Sequence, residues 1–433
     1  MPRNNLTLLE GPAMDQMYLS GGLIATDDMG VFVLAGSTVG GGSAINWSAS
    51  IRTPQHVIKE WCNDHELELF DSKLYQEALD IVCEKMGVQS QVQEEGFNNE
   101  ILKRGCQELG MGRKRGSTET WLVDLVNSGN GAILTGCEAI KVLHKRKKGR
   151  RDRNTATGVA FKFEHGGAKR IEERKYWGKL HLHPVAMAWG YFPDSQVFDG
   201  WPEREKKSYE GGIMTAMSTV VAEFNKSGYG AVIQTPALHP GMFSVVMPWV
   251  SGKDIKHRMS RFSRTAHVFA LARDKGSGTV NAPPDSISYE MEALDENNLK
   301  IGLEKSLRIL AAAGAEDIGT HHFKGKGLHV KKANLDEFER FVKEESSRPL
   351  RELSSAICSA HQMGSCRMGV DSKQSVVNQM GETWEVEGLF VADTSVFPTA
   401  LGVNPMVTVQ AIAYCTSQSI LQVLRRKKVE HKN

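Results

Sequence analysis

The feature that most constrains the fold is a glycine turn that directly follows an apolar run. Residues 30–35 read GVFVLA, which is typical of a strand, and residues 36–46 read GSTVGGGSAIN. Glycine reaches positive φ and permits close backbone approach, so the turn is either a flexible loop or a cradle for a phosphate or a ring. The strand before it and the small polar residues after it favour the cradle. Neither G-x-G-x-x-G nor a Walker A motif occurs in the sequence.

The composition is that of a globular protein large enough for two domains. The chain has 433 residues, of which 40% are hydrophobic and 24% charged, and its formal net charge is +2. That balance gives no reason to expect a nucleic acid as partner. Seven cysteines without a C-x-x-C pair favour reduced thiols in an intracellular setting. Since no apolar run reaches the roughly 18 residues of a membrane span, we expect any membrane contact to be peripheral or to come from sequence outside this chain.

Hydrophobic spacing predicts the secondary structure of the middle of the chain. Amphipathic helices are expected at 74–86, 302–317 and 335–345. Short strands are expected on both sides of KRKKGRRDR (145–153), and an antiparallel region at 187–290 includes predicted strands at 230–236, 241–250 and 266–280. The basic run is open to two interpretations, a patch for nucleic acid or anionic lipid and a solvated hairpin tip. Without interleaved aromatic residues the hairpin tip is favoured.

The C-terminal region predicts a strand followed by a long helix. Residues 388–393, GLFVAD, are typical of a buried strand that ends in an aspartate. The segment from 404 to 424 has apolar residues on one helical face, with Asn404 at the N-cap position and Pro405 at the first helical position. Asn404 therefore has a structural explanation before any functional one. The scattered histidines lack acidic or cysteine partners at metal-ligand spacing and are interpreted as structural: His181, His183, His321 and His322.

Five segments in order along the chain resemble the glucose-methanol-choline (GMC) flavin oxidoreductases, and among them the long-chain fatty alcohol oxidases. They are LAGSTVGGGSAINWSASIRTP, LHLHPVAMAWGYFP, LARDKGSGTV, AHQMGSCRMG and VADTSVFPTALGVNPMVTVQAIA. The resemblance implies an α/β fold, with a doubly wound FAD-binding domain and an α+β substrate domain built on an antiparallel sheet. The implied FAD domain is discontinuous, at 1–186 and 353–433, and the substrate domain spans 187–352.

The resemblance also implies an active site. His361 matches the catalytic base and Asn404 the second active-site position, while the glycine turn lies against FAD. Ala139 matches the backbone that meets the adenine. The other matches to cofactor-binding positions are Gly41, Gly42, Ser43, Asn46, Asp393, Pro405 and Met406. No metal is implied.

Three segments depart from the family pattern. The family's first strand and its G-x-G-x-x-G are missing, a cysteine-rich segment is missing near 109–121, and RIEERKYWGK at 170–179 replaces a G-A-L-x-T-P stretch. The chain therefore resembles a truncated or exon-skipped form. The implied reaction is the oxidation of long-chain primary alcohols by O2 to aldehydes and hydrogen peroxide, at a membrane surface. The alternatives are another GMC alcohol oxidase or dehydrogenase, or a non-catalytic remnant that does not hold FAD.

Overall fold

The fold is described from a computed structural model of the chain. The structure describes residues 10–89, 95–111, 113–114, 128, 137–145, 153–163, 177–193, 207–281 and 286–430. Most of the predicted basic hairpin tip at 145–153 and most of the segment at 109–121 lie outside these residues. Among the described residues, no helix is both long and apolar enough to cross a lipid bilayer.

The described residues form both helices and strands. The helices are α1 (Glu10–Met17), α2 (Gly42–Ile45), α3 (Gln55–Asn63), α4 (Lys73–Lys85), α5 (Phe97–Glu108), α6 (Pro240–Val246), α7 (Gly252–Ser260), α8 (Ala293–Ala312), α9 (Leu335–Ser347) and α10 (Met406–Glu430). The strands are β1 (Ile24–Ala25), β2 (Phe32–Val33), β3 (Arg113–Lys114), β4 (Cys137–Lys145), β5 (Asn154–Phe163), β6 (Trp177–Leu180), β7 (Val185–Tyr191), β8 (Met217–Val221), β9 (Ala231–Gln234), β10 (Thr265–Ala272), β11 (Ser277–Asn281), β12 (Ser286–Glu290), β13 (Asp317–Thr320), β14 (Gly327–His329), β15 (Cys358–Ser359) and β16 (Val386–Glu387).

A ten-stranded, mostly antiparallel sheet is the centre of the molecule. Its order is β1-β2-β15-β7-β10-β9-β8-β3, and β13 pairs with both β7 and β14. Strands β2 and β15 run parallel, as do β5 and β16 in a separate three-stranded sheet. The predicted mixed α/β class with a large antiparallel sheet is confirmed. One sheet joins strands from all three predicted segments, and the domain boundaries themselves stay a prediction.

The two faces of the large sheet carry side chains of different size. All eight residues of β10 are buried, so this strand lies in the interior of the protein. On one face its alanines pack against α5 and α8, and a Cβ on Gly302 of α8 would stand 2.3 Å from the Cβ of Ala270. On the other face Phe269 and Leu271 join the core that includes α3, α4 and α10. Small residues thus allow a helix to approach closely on one side, while bulky apolar residues line the other.

Most of the predicted elements are confirmed. The predicted strand at 30–35 is β2, and the helices predicted at 74–86, 302–317 and 335–345 are α4, α8 and α9. Helix α4 begins after Ser72, whose Oγ accepts a hydrogen bond from the Tyr75 N–H. Helix α8 begins earlier than predicted, because Glu292 and Asp295 form a capping box at its N-terminus. Strands β4 and β5 pair antiparallel, as expected for the arms of a hairpin.

The strand predicted at 241–250 is wrong, because this segment begins with helix α6. Pro240 occupies the first turn, and the ring of His239 accepts from the Met242 N–H. The Glu10 carboxylate of α1 accepts from the Gly241 N–H at 2.9 Å and the Met242 N–H at 3.1 Å. These partners satisfy the N–H groups that a helix leaves free at its start. The apolar run therefore becomes a helix whose N-terminus is stabilised by a distant residue.

The buried strand predicted at 388–393 is also wrong. Its backbone makes one antiparallel bridge, between Phe390 and Glu382, and Asp393 at its end is exposed. A buried strand needs neighbouring strands on both sides to satisfy its N–H and C=O groups. Among the described residues this segment has a single bridge, and Asp393 at its end lines the cavity described below.

Candidate active site

A cavity of about 520 Å³ lies on the bulky face of the large sheet. Its floor is apolar and is formed by Val185 and Met187 of β7 together with Phe269 and Leu271 of β10. The glycine turn, the segment 358–362 and the start of α10 form its polar end, and α6 contributes Met242 and Val246. The cavity therefore joins a small polar region to a longer apolar surface, which is the usual composition of a ligand site.

The glycine turn opens towards this cavity. Gly40 and Gly41 have φ values of 94° and 52°, which favour glycine, and a Cβ on Gly36 would lie 2.7 Å from the carbonyl carbon of Gly41. The turn therefore folds tightly back on itself. A Cβ added at Gly41 or Gly42 would meet no atom within 4 Å, so this side of the turn is open. The sequence reading of a cradle rather than a flexible loop agrees with this geometry.

Asn46 holds the turn in place. Its Nδ2 donates to the Ser43 carbonyl at 2.7 Å and lies 3.0 Å from the sulfur of Met406, the first residue of α10. Its Oδ1 accepts from the Ser48 N–H at 2.7 Å. Both ends of the amide therefore have partners within the protein. Asn46 joins the glycine turn to the start of α10, and it lines the cavity.

His361 follows β15 and lines the same cavity. Its backbone N–H donates to the Ser359 hydroxyl at 3.3 Å, and that hydroxyl donates to the Leu182 carbonyl. Burial lowers the pKa of His361 to about 4, although the carboxylate of Asp274 acts in the opposite direction. His361 is therefore neutral at pH 7. In this form one ring nitrogen can donate a hydrogen bond to a hydroxyl and the other can accept one.

His183 is a site residue that sequence reasoning missed. Its Nδ1 lies 3.2 Å from Nδ1 of His361, and its Nε2 accepts from the Gly402 N–H at 2.8 Å. Burial lowers the pKa of His183 well below the ordinary value, and the neighbouring His361 lowers it further. The available signal was the pair of histidines in the apolar segment LHLHPV, because polar side chains in such a segment are expected to be buried and hydrogen-bonded.

Two charged residues fix the surroundings of His183. Asp274 accepts from the N–H groups of Leu182 and His183 at 2.9 and 3.1 Å. Burial alone would raise the pKa of Asp274, but its hydrogen bonds and nearby His181 outweigh burial and keep it below the ordinary value. Arg273 donates from Nε to the Ala400 carbonyl at 2.7 Å and forms an ion pair with Glu60. These contacts hold the loop that carries the Gly402 N–H.

The structure corrects the predicted N-cap role of Asn404. Helix α10 begins at Met406, and the Pro405 carbonyl accepts the N–H of Val409 at 2.8 Å, so Pro405 occupies the cap position. The side chain of Asn404 points elsewhere: its Oδ1 accepts from Gln234 Nε2 at 2.6 Å, and its Nδ2 lies 3.4 Å from the sulfur of Met214. Capping therefore does not explain Asn404, which is buried beside the cavity instead.

The structure brings most of the sequence-predicted site residues together. His361, Asn404 and seven of the eight residues matched to cofactor positions line one cavity: Gly41, Gly42, Ser43, Asn46, Asp393, Pro405 and Met406. Asp393 caps a short turn through the Ser395 N–H at 2.8 Å. Ala139 lies in β4 of the separate three-stranded sheet, paired with Phe161, and does not line the cavity. The open glycine turn and the polar end fit a planar or phosphate-bearing group such as FAD.

Comparison with known proteins identifies the class. The N- and C-terminal parts of the GMC oxidoreductase family match residues 14–112 and 111–177, and 275–413. The chain is 56% identical to long-chain-alcohol oxidase FAO4A of Arabidopsis thaliana over 98% of this chain, and 41% identical to FAO3 of the same plant over 95%. The chain belongs to the GMC oxidoreductase family.

Solved structures support the same fold at low sequence identity. Formate oxidase of Aspergillus oryzae covers 92% of this chain with a TM-score of 0.59 and 14% identity, and 85% of that protein is matched. Pyridoxine 4-oxidase of Mesorbium loti covers 89% of this chain with a TM-score of 0.57 and 14% identity, and 84% of that protein is matched. The chain spans 64% of the length of FAO4A and 62% of that of FAO3.

Proposed function

We propose that this chain carries the substrate site of an FAD-dependent oxidase that converts long-chain primary alcohols and O2 to aldehydes and hydrogen peroxide. The observation that carries this proposal is the single cavity that His361, Asn404 and the glycine turn share with an apolar floor. The similarity to the long-chain-alcohol oxidases FAO4A and FAO3 supports the substrate class.

We assign the polar end of the cavity to FAD. The glycine turn with Gly41, Gly42 and Ser43 would face the cofactor, and Asp393, Pro405 and Met406 would complete its surroundings. Asn46 would act by holding the turn, and Ala139 is the proposed contact of the adenine. When bound, the flavin supplies the acceptor for the hydride that an alcohol must lose. The start of α10 would place the positive end of a helix dipole at this site.

His361 and Asn404 are the two side chains proposed to contact the reacting oxygen. An alcohol becomes an aldehyde by losing a hydroxyl proton and a hydride, so the oxygen must be held with its carbon directed at the acceptor. The family resemblance gives His361 the role of base. A neutral imidazole has one N–H and one lone pair, so its action on the oxygen depends on which nitrogen holds the proton.

The apolar floor would bind the hydrocarbon tail. Val185, Met187, Phe269 and Leu271 present adjacent side chains from two paired strands, and Leu238 extends this surface. Each buried CH2 group contributes about 0.8 kcal/mol to binding. A longer alkanol therefore gains affinity until its tail fills the cavity, whereas a small polar alcohol gains nothing from this surface.

The first prediction concerns this reaction. Purified protein supplied with FAD should show flavin absorption and release peroxide faster with long alkanols than with choline or glucose. His361→Ala should retain the flavin absorption and lose about a hundredfold in turnover, because one catalytic proton-handling group contributes about 10² to 10⁴. A preference for choline or glucose would contradict the substrate class. Colourless protein that takes up no FAD would favour the non-catalytic alternative.

We also propose a peripheral contact with lipid. Val245 at the end of α6 is 63% exposed, and Trp249 and Val250, in the segment between α6 and α7, are 71% and 62% exposed. Lys253 and Lys256 on the adjacent α7 are exposed as well. Apolar side chains beside lysines suit an anionic bilayer surface. The same helix α6 lines the cavity with Met242 and Val246, so a long-chain alcohol could pass from lipid towards the site.

The second prediction tests this surface with vesicles. The protein should float with vesicles of zwitterionic and anionic phospholipid, and the double substitution Trp249→Glu and Val250→Glu should lower the bound fraction about tenfold, since charged side chains enter lipid unfavourably. The control is Phe323→Glu, which replaces a 52% exposed aromatic residue of another segment. Equal flotation of all three proteins would contradict the proposed surface.

A further inference from the structure

Two hydrogen bonds in series lead from the Gly402 backbone through His183 to His361 at the cavity. The Gly402 N–H lies 2.8 Å from His183 Nε2, and an amide N–H can only donate. His183 Nε2 is therefore an acceptor and carries no proton. Because burial keeps His183 neutral, its single ring proton is on Nδ1.

The contact with His183 also determines which ring nitrogen of His361 carries the proton. His183 Nδ1–H lies 3.2 Å from Nδ1 of His361 and donates to it. Since His361 is also neutral, its proton must then be on Nε2. His361 lines the cavity, and with Nδ1 occupied by His183 the nitrogen left for a ligand is Nε2.

We propose that His183 is a positioning residue that fixes His361 as the Nε2–H tautomer, so that His361 meets the alcohol oxygen as a hydrogen-bond donor instead of taking its proton. This inference rests on the proposed function for the identity of the ligand, but not for the tautomer itself. It assigns His361 a different action from the base implied by the family resemblance.

The opposite tautomer is disfavoured by the surrounding structure. If Nε2 of His361 were free to accept, Nδ1 would carry the proton and donate to His183. The proton of His183 would then move to Nε2, directly facing the Gly402 N–H. Two donors would oppose each other, and a buried donor left without a partner costs about 1–3 kcal/mol.

Gly402 is not free to turn its N–H away. Its φ is +79°, and a Cβ there would meet the Arg273 side chain at 2.9 Å, so the loop passes close over Arg273. Arg273 in turn holds the Ala400 carbonyl and is 1% exposed in its ion pair with Glu60. The direction of the chain of hydrogen bonds is therefore set by a rigid backbone group.

As a donor, His361 would act together with Asn404. An N–H group directed at the oxygen stabilises the negative charge that develops there as the hydroxyl proton leaves. That proton would pass to water that enters the cavity, and FAD, when bound, would supply the acceptor for the hydride, which carries both electrons of the broken C–H bond. Atoms and charge then balance with the aldehyde as product. Neutral imidazole is chemically competent as such a donor.

The direct test is the ¹⁵N NMR spectrum of the histidine rings in the full chain. We expect His361 to show a protonated Nε2 and an unprotonated Nδ1 that accepts a hydrogen bond, with assignment from the signals lost in His361→Gln and His183→Gln. In His183→Gln a share of His361 should change to the Nδ1–H form. A protonated Nδ1 on His361 in the unsubstituted protein would overturn the proposal, and this measurement needs no turnover.

Turnover of His361 variants distinguishes a hydrogen-bond donor at this position from a base. Glutamine offers an amide N–H near the position of the imidazole Nε2–H but cannot take a proton at neutral pH. His361→Gln should therefore retain turnover within about tenfold, whereas His361→Ala should lose about a hundredfold. Equal losses in both variants would overturn the donor role. Absence of turnover in the unsubstituted protein would instead count against the proposed function, while the NMR result would still decide the tautomer.

Discussion

At the scale of single residues, the orientation of the Asn404 side-chain amide decides whether the site presents a hydrogen-bond donor or an acceptor to a substrate oxygen. Asn404 directs Oδ1 to Gln234 Nε2 at 2.6 Å, which leaves Nδ2, near the sulfur of Met214, as the group able to donate. Gln234 is 1% exposed, so water does not compete for this contact. Gln234 lies on a strand 170 residues earlier in the chain, and its contact thereby sets the orientation of the Asn404 amide.

The third prediction follows from this contact. In Gln234→Glu, an ionised carboxylate can only accept, so Asn404 should turn Nδ2 towards it and Oδ1 towards the cavity. We expect kcat/KM for a long alkanol at pH 8 to fall about a hundredfold, the usual effect of losing one donor at a developing oxyanion. Gln234→Met is the control, because it leaves the amide free to keep either orientation. Equal losses in the two variants would contradict the argument.

At the scale of elements, close helix packing supports the sheet that forms the cavity floor. A Cβ on Gly105 of α5 would lie 2.2 Å from the Ile309 carbonyl oxygen of α8, which is far below van der Waals contact. Helix α8 in turn packs on β10 through Gly302 and Ala270. Small residues thus fix the distance between two helices and the strand that carries Phe269 and Leu271.

The fourth prediction tests this packing. Gly105→Ala should gain about 1 kcal/mol in helix propensity but lose roughly 1–3 kcal/mol or more by overpacking, so the free energy of unfolding should fall. Gly252→Ala in α7 is the matched control, because a Cβ there meets no atom within 4 Å. It should be neutral or slightly stabilising. Urea unfolding measures both variants, and a stabilised Gly105→Ala would contradict the close approach.

At the scale of the whole molecule, burial of neutral histidines makes stability depend on pH. Burial lowers the pKa of both His321 and His361 to about 4, and that of His183 and His267 well below the ordinary value. Below about pH 6.5 the unfolded chain binds protons that the folded chain does not. The free energy of unfolding therefore falls as pH is lowered towards 4.

The fifth prediction is the size of that slope. Each such histidine contributes up to about 1.4 kcal/mol per pH unit below its unfolded pKa. Urea unfolding at several pH values should show a smaller slope in His321→Asn, which keeps a donor for the Val246 carbonyl. The control is His257→Asn, which makes the same substitution at an exposed histidine. Stability that is constant between pH 6.5 and 4.5 would contradict the buried neutral state.

Short-range patterns predicted the parts of the site that depend on neighbouring residues. The strand, the glycine turn and α10 follow from local sequence, whereas His361 is assigned through the resemblance of its motif to the family. Local sequence predicts a strand where α6 lies, because the N-terminal partner of this helix, Glu10, is 231 residues away from Gly241. His183 was read as structural because it meets His361 across 178 residues. Asn404 fitted a cap position, and only the fold shows that its side chain points to Gln234.

The methionines that line the cavity would limit how long the protein stays active in the proposed reaction. Met187, Met214, Met242 and Met406 all line the space where the proposed reaction releases peroxide. Peroxide converts methionine to its sulfoxide, a bulkier and polar group. Cys358 in the same lining is shielded, because burial raises its thiol pKa to about 12 and keeps the reactive thiolate scarce. In the proposed reaction the thioethers would thus be the first targets of the product, and each protein molecule would complete a finite number of turnovers before the lining of its cavity becomes hydrophilic.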